Sequence, residues 1–430
     1  MRFNSTGAFA RGFVLLVAIA ITGVASARND LPLAKPERVG MSSQRLALMP
    51  EKMQEVVDQG KVSGVVTLVA RHGKVVHLSA VGKQDIEADK QMTTDAIFRI
   101  YSMTKPVTAV AMMILFEQGK WQLNDPVAKF IPEFKDLKVY AGTDSEGKPI
   151  LEPQKHPMTM RELMSHTAGF TYGFFSNSPV DKMQLQADVL NNNITLEEMI
   201  RRVAKLPLAS QPGARWHYSI AVDIQGYIVE KLSGMPFDEF LAKHIFEPLK
   251  MVDTGFYVPP EKLHRLAQVY NVDENGKLRV ERAGFNRDYS KRPALLSGGG
   301  GLVSTAADYF RFCQMLLNGG TLDGVRILSP LTVELMRTNA IGDLWAGLGG
   351  AGTKFGLGFA ITVDPMAAGG YYGEGTYWWG GAAGTWFWID PVRDLIVIGM
   401  IQHLGASSGA AGMPDLRGLS RTIAYSSIIE

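Results

Sequence analysis

The fourteen residues KPVTAVAMMILFEQ, Lys105 to Gln118, are apolar on nearly every face. A helix with no polar side must be enclosed by the rest of the fold, so this run predicts a buried helix around which other layers assemble. Pro106 fits only the first turn, where its missing N–H had no partner, and Gly119 caps the other end. The helix therefore opens close to Ser102. Lys105, three residues on, shares a face with that serine.

Sheet signals lie on either side of this helix in the chain. The segment SGVVTLVARHGKVVHLSAVG (Ser63 to Gly82) reads as a hairpin turning at His72-Gly73, and TWFWI (Thr385 to Ile389) with LIVIGMI (Leu395 to Ile401) reads as a second. Between about 120 and 290 strand alternation is lacking. Thr159-Met-Arg-Glu162 is a capping box that opens a helix running into Ser165-His166-Thr167-Ala168-Gly169, and another helix spans Val222 to Leu232 before Ser233-Gly234. A further helix is expected over Asp308 to Leu317. The expected fold is α/β, an antiparallel sheet flanked by helices with a mostly helical insertion: residues 28–118 and 290–430 form one discontinuous domain and 119–289 a helical one.

Residues 1–27 are read as a cleavable signal peptide. Arg2 and Arg11 precede the uncharged stretch Gly12 to Ala27, which ends in the small residues Ala25-Ser26-Ala27. That stretch is shorter than the ~20 residues of a spanning helix, so no stable membrane anchor is expected and the protein is placed in the periplasm or outside the cell. Without Arg2 and Arg11 the 44 basic residues become 42, against 42 acidic ones. Nothing in that balance selects nucleic acid or an anionic membrane as partner. The single cysteine, Cys313, lies in the helical run DYFRFCQMLLN and is read as core. Eight scattered histidines show no metal-ligand spacing, so neither a metal nor a cofactor is expected.

Two Ser-x-x-Lys tetrads are present. Ser145-Glu-Gly-Lys148 sits in the turn-forming stretch GTDSEGKP with no apolar run behind it, whereas Ser102-Met-Thr-Lys105 opens the buried helix. Burial lowers the pKa of a lysine, so Lys105 could accept the Ser102 proton near neutrality, with the helix N-terminus stabilising negative charge nearby. A rival, Gly405-Ala-Ser407-Ser-Gly409, matches the nucleophile elbow of α/β-hydrolases, but no histidine follows His403 to serve it, and it is read as a loop. The run Gly298 to Gly301 lacks the ending of a phosphate loop and is read as a turn where backbone passes close to another element.

With these residues in view, the chain resembles the serine β-lactamase and penicillin-binding protein superfamily, within it the class C β-lactamases and above all the family VIII carboxylesterases. The resemblance runs from about 34 to 425 through Ser102-Met-Thr-Lys105, MTMRELMSHTAGF (158 to 170), PGARWHYSIAVDIQGYIVEKLSG (212 to 234), GGGGLVSTAADYFRF (298 to 312) and WGGAAGTWFWIDP (379 to 391). It implies a β-lactamase/transpeptidase-like fold, Ser102 as acylated nucleophile, Lys105 as its proton partner, and Tyr218 as the residue that shares base duty and protonates the leaving group. It further implies an oxyanion hole from the N–H groups of Ser102 and Ala382, and a substrate-lining strand at Trp379, Gly380 and Gly381. Two departures from the β-lactamases stand out: Ile220 replaces an asparagine that holds the substrate amide, and Trp379 replaces a lysine that helps bind the carboxylate. Apolar side chains cannot supply those contacts, so an ester with an apolar part suits the lining. His166 and His217 are expected to be structural, Trp378 is open between sheet packing and a place in the site, and Asp223 is assigned no chemistry.

The resulting expectation is a secreted serine carboxylesterase taking short-chain or apolar esters through an acyl-enzyme, with a small ester or β-lactam-like molecule as partner. The alternatives are a class C-like β-lactamase or D-alanyl-D-alanine carboxypeptidase/transpeptidase and, outside enzymes, a silent cell-wall binding or sensor module. The sequence leaves the oligomeric state open.

Overall fold

The computed structural model describes residues 1, 31–282, 287–347, 350–406 and 413–430. Residues 2–27 of the expected leader and Ser407 lie outside the described residues. Eight strands form the main sheet: β1 (Gly64–Arg71), β2 (Lys74–Asp85), β3 (Lys90–Gln91), β4 (Thr353–Phe355), β5 (Ala360–Thr362), β6 (Tyr377–Gly380), β7 (Trp386–Asp390) and β8 (Leu395–Met400). Their order across the sheet is β4-β5-β6-β7-β8-β1-β2-β3, and each neighbouring pair is antiparallel. The two ends of the chain meet in the middle of this sheet, where Val66 to Arg71 pair with Met400 to Leu395. The β1–β2 turn is built as expected, with His72 (φ 50°) and Gly73 (φ 69°) in the left-handed region that a tight hairpin requires.

Both faces of the sheet are covered, and the period of two along each strand divides the core. Val66, Leu68, Phe387, Ile389, Ile396 and Ile398 face the larger core, while Val65, Val69, Trp386, Trp388, Leu395 and Val397 face a smaller one. This explains why β1 and β8 are buried at every position and read as unbroken apolar runs. The smaller core is closed by α1 (Leu48–Asp58) and, at the far end of the chain, a helix over Leu416–Ser426. Sequence reading did not foresee either helix.

On the larger core lies α2 (Thr104–Glu117), whose residues from Thr104 to Leu115 are all buried, as its sequence demands. Pro106 falls in the first turn and Gly119 (φ 69°) follows the last. The capping box at Thr159 and Glu162 is present, but α3 (Met160–Met164) stops at Ser165 because His166 adopts φ 59°, so it does not run on to Gly169 as expected. Next come α4 (Ala221–Ser233), capped by Gly234 at φ 70°, and α5 (Ala306–Leu317). Cys313 on α5 is wholly buried in the larger core.

The middle of the chain also carries two small hairpins, Lys138–Thr143 with Pro149–Pro153 and Tyr270–Val272 with Leu278–Val280, where no strands were expected. Their strands are largely exposed, so backbone pairing rather than an apolar face defines them and no alternation is left in the sequence. The second tetrad falls in the first hairpin's turn. There Lys148 pairs with Glu146 at 2.7 Å rather than with Ser145.

Candidate active site

A 3₁₀ turn over Tyr101–Met103 leads directly into α2. Tyr101 sits at φ 42°, an uncommon conformation for a bulky side chain, immediately before Ser102. Ser102 is half-buried and reachable, and Lys105, only 1% exposed, lies behind it.

The Lys105 Nζ donates to three oxygens: Gly299 O at 2.6 Å, the Tyr172 hydroxyl at 2.8 Å and Ser102 Oγ at 3.2 Å. Burial brings its pKa down to about 7, against an opposing pull from the Asp223 charge. The amine is thus poised to exchange a proton near neutrality. The Tyr218 hydroxyl donates to Ser102 Oγ at 2.7 Å. Burial holds that phenol above its usual range, with the hydrogen bond to Ser102 pulling the other way, so it stays protonated. Ser102 Oγ therefore has a neutral acid on one side and a titratable amine on the other.

Tyr218 is brought in by the extended segment that precedes α4. The His217 N–H donates to His166 O at 2.8 Å, and His166 Nδ1 shares a hydrogen bond with Ser219 Oγ at 3.1 Å. Burial, and after it the Lys105 charge, hold His166 well below the ordinary imidazole range, so the ring is neutral. His166 clamps the extended segment carrying Tyr218, while the half-buried His217 takes part through its backbone.

The end of β6 completes the cluster. Trp379 packs on Tyr218 with ring centroids 5.3 Å apart and on Phe355 at 5.4 Å, whereas Trp378 also packs on the smaller core. Gly381 N–H donates to Thr385 O at 2.8 Å, closing a turn that leaves Ala382 exposed, and Thr385 Oγ1 donates to Ile100 O at 3.4 Å. A Cβ on Gly381 would lie 2.5 Å from Ile100 O, so only glycine lets this turn approach the backbone leading to Ser102. Gly380 is half-buried beside Arg417. Ile220, 1% exposed, is packed into the larger core at the head of α4.

Around this polar centre the walls are aromatic. Tyr218 is surrounded by His166, Tyr172, Phe175 and Trp216 at centroid separations of 5.1, 5.2, 5.5 and 6.1 Å. Phe174 and Phe175 are 41% and 61% exposed and continue the apolar surface outward. Sequence reasoning missed two contributors, Tyr172 and the Gly299 carbonyl. The glycine run does make the close approach expected of it: a Cβ on Gly298 would lie 2.6 Å from Val222 O.

The family model described as Beta-lactamase matches residues 49–420. Protein Rv1367c of Mycobacterium tuberculosis is 37% identical over 385 residues, covering 85% of this chain and 93% of that protein. Esterase EstB of Burkholderia gladioli is 30% identical over 378 residues, covering 82% of this chain and 90% of the relative. Among solved structures, EstCE1, described as a hydrolase with promiscuous acyltransferase activity, superposes with a TM-score of 0.75 at 28% identity, covering 89% of this chain and 99% of that one.

Proposed function

Because the chain belongs to the beta-lactamase family and is a serine hydrolase, we propose that it is a carboxylesterase for esters with an apolar acyl or alcohol part, short acyl chains included. The observation that carries this reading is Ser102 Oγ held between the Lys105 amine at 3.2 Å and the Tyr218 phenol at 2.7 Å, inside an aromatic wall that includes Trp379. In this scheme Lys105 takes the Ser102 proton as Oγ attacks the ester carbonyl. The N–H groups of Ser102 and Ala382 hold the oxyanion; losing one such donor costs about 3 to 4 kcal/mol of transition-state stabilisation. Tyr218 gives its proton to the departing alkoxide and regains one from the Lys105 ammonium; water then attacks the acyl carbonyl while Lys105 takes its proton, and the acid leaves as Ser102 Oγ is reprotonated through the same pair. Trp379 and Gly380-Gly381 line the substrate, with buried Ile220 supporting that wall from the core.

The reading includes export, for which the charged and apolar segment ahead of Ala27 is the motive. A β-lactam or acyl-D-alanine substrate is the less suited, since Trp379 offers no cation for its carboxylate. The test is pre-steady-state release of p-nitrophenol from p-nitrophenyl butyrate beside nitrocefin turnover. A burst abolished by Ser102→Ala, with nitrocefin cleaved far more slowly, is expected. Unchanged turnover in Ser102→Ala rejects the scheme, and faster nitrocefin cleavage rejects the substrate class.

A further inference from the structure

Behind the lysine lies a second polar layer for which the scheme above has no use. Asp223, on α4 and wholly buried, accepts at Oδ1 from Ser297 Oγ at 2.5 Å and from Gly299 N at 3.0 Å. It thereby fixes the loop whose Gly299 carbonyl receives Lys105. Its other oxygen, Oδ2, is buried with no hydrogen-bond partner among the described residues, an expensive state for a carboxylate. A Cβ on Gly299 would lie 2.5 Å from that Oδ2 and 2.7 Å from the Tyr172 hydroxyl, so the two oxygens face each other across the space that this glycine leaves empty.

The donor count at Lys105 gives this arrangement a meaning. A neutral amine has two N–H groups and one lone pair. The Gly299 carbonyl can only accept and always takes one N–H. The second N–H and the lone pair are divided between Tyr172 and Ser102. If Tyr172 donates to the lysine, the lone pair is occupied and the Ser102 proton has nowhere to go. If Tyr172 donates elsewhere, it accepts the second N–H and the lone pair faces Ser102. Burial, and then the Asp223 charge, keep the Tyr172 phenol protonated, so its proton needs an acceptor. Asp223 Oδ2 is the unsatisfied acceptor across the gap, within reach of a small ring shift or one bridging water.

We propose that Tyr172 and Asp223 are a pair of positioning residues for Lys105: Asp223 draws the Tyr172 hydroxyl proton toward itself, and Tyr172 in turn holds a lysine N–H so that the amine lone pair is presented to Ser102. No bond is made or broken in this layer; it selects among hydrogen-bonding arrangements. The inference rests on the esterase reading and deepens it.

The test is Tyr172→Phe, Asp223→Asn and their combination, assayed for kcat and KM on p-nitrophenyl butyrate across pH. The titratable groups facing Lys105 are Tyr172, Tyr218, Asp223 and His166. Each single variant is expected to lower kcat by roughly 10²-fold with KM little changed. Each should also move the acid limb of the rate profile below pH 7, because the ammonium loses an acceptor in the first and a nearby anion in the second. The combined variant should be no worse than the poorer single one within about threefold, the mark of one shared device. Acid limbs that stay near 7, or losses that multiply in the combination, overturn the pairing. Tyr172→Phe keeps the packed ring and decides the matter alone should Asp223→Asn fail to fold. Ser102→Ala run in parallel separates the outcomes: full activity there overturns the esterase reading itself, while Ser102-dependent turnover indifferent to Tyr172→Phe overturns only the pairing.

Discussion

The buried amine ties catalysis and stability to the same pH window. With the pKa of Lys105 near 7, about half of the enzyme carries a neutral amine at pH 7, roughly a tenth at pH 6 and nine tenths at pH 8. If that amine takes the Ser102 proton, kcat/KM should rise about tenfold from pH 6 to pH 8 and level off above. Lys105→Met fills similar space without a charge; it should lower the plateau on the order of 10³-fold and remove the limb. Stability follows with a defined sign. The folded amine titrates at about 7 and the unfolded one at 10.5, so between these values the unfolded chain binds more protons and stability rises with pH. From pH 6 to pH 9 this amounts to roughly 2 to 3 kcal/mol in favour of the wild type relative to Lys105→Met. Stopped-assay kinetics and urea denaturation at the two pH values check both statements. A flat wild-type profile between pH 5.5 and 8.5, or a limb that survives in Lys105→Met, would refute the reasoning.

Other expectations are simpler. Tyr218→Phe retains the aromatic packing but loses the proton donor to Ser102; kcat should fall on the order of 10²- to 10³-fold while the melting temperature moves little, as steady-state kinetics with calorimetry will show. Ser145→Ala, in the exposed hairpin turn, should leave turnover and fluorophosphonate labelling at wild-type levels. Thr159→Ala removes the capping box of α3 and should cost about 1 to 2 kcal/mol in chemical denaturation without changing kcat per folded molecule. Burial pushes the Cys313 thiol well up, so Ellman's reagent should react only as the protein unfolds; rapid labelling of the native enzyme contradicts the packing described for α5.

Much of this architecture is carried by short-range patterns. The enclosure of α2 follows from an apolar run with no polar side, its start from Pro106, the β1–β2 turn from His72-Gly73, and the end of α4 from Gly234. The helix over Leu48–Asp58 had a readable signal too, since Met49, Met53 and Val56 fall on one face among charged neighbours. The small hairpins had none, being paired through backbone on exposed strands.

The site divides in the same manner. Ser102 and Lys105 are three apart on one helix and can be paired by geometry alone. Tyr218 lies 116 residues from Ser102 and enters the sequence argument only through the resemblance of its block. Tyr172, 67 residues from Lys105, and the Gly299 carbonyl, 194 residues away, have no local signature; the first is one tyrosine among many and the second a backbone atom. The Asp223 carboxylate sits in an ordinary helical position, and its meaning emerges only when the glycine run is folded against it.

The central claim, an acyl-enzyme on Ser102 formed from a simple ester, is tested most directly by peptide mass mapping after acid quench of enzyme mixed with excess p-nitrophenyl butyrate. The account requires a butyryl group on the peptide containing Ser102, absent at zero time and decaying once substrate is exhausted. Turnover with that peptide unmodified at every quench time, and the acyl group found on another residue, would contradict it.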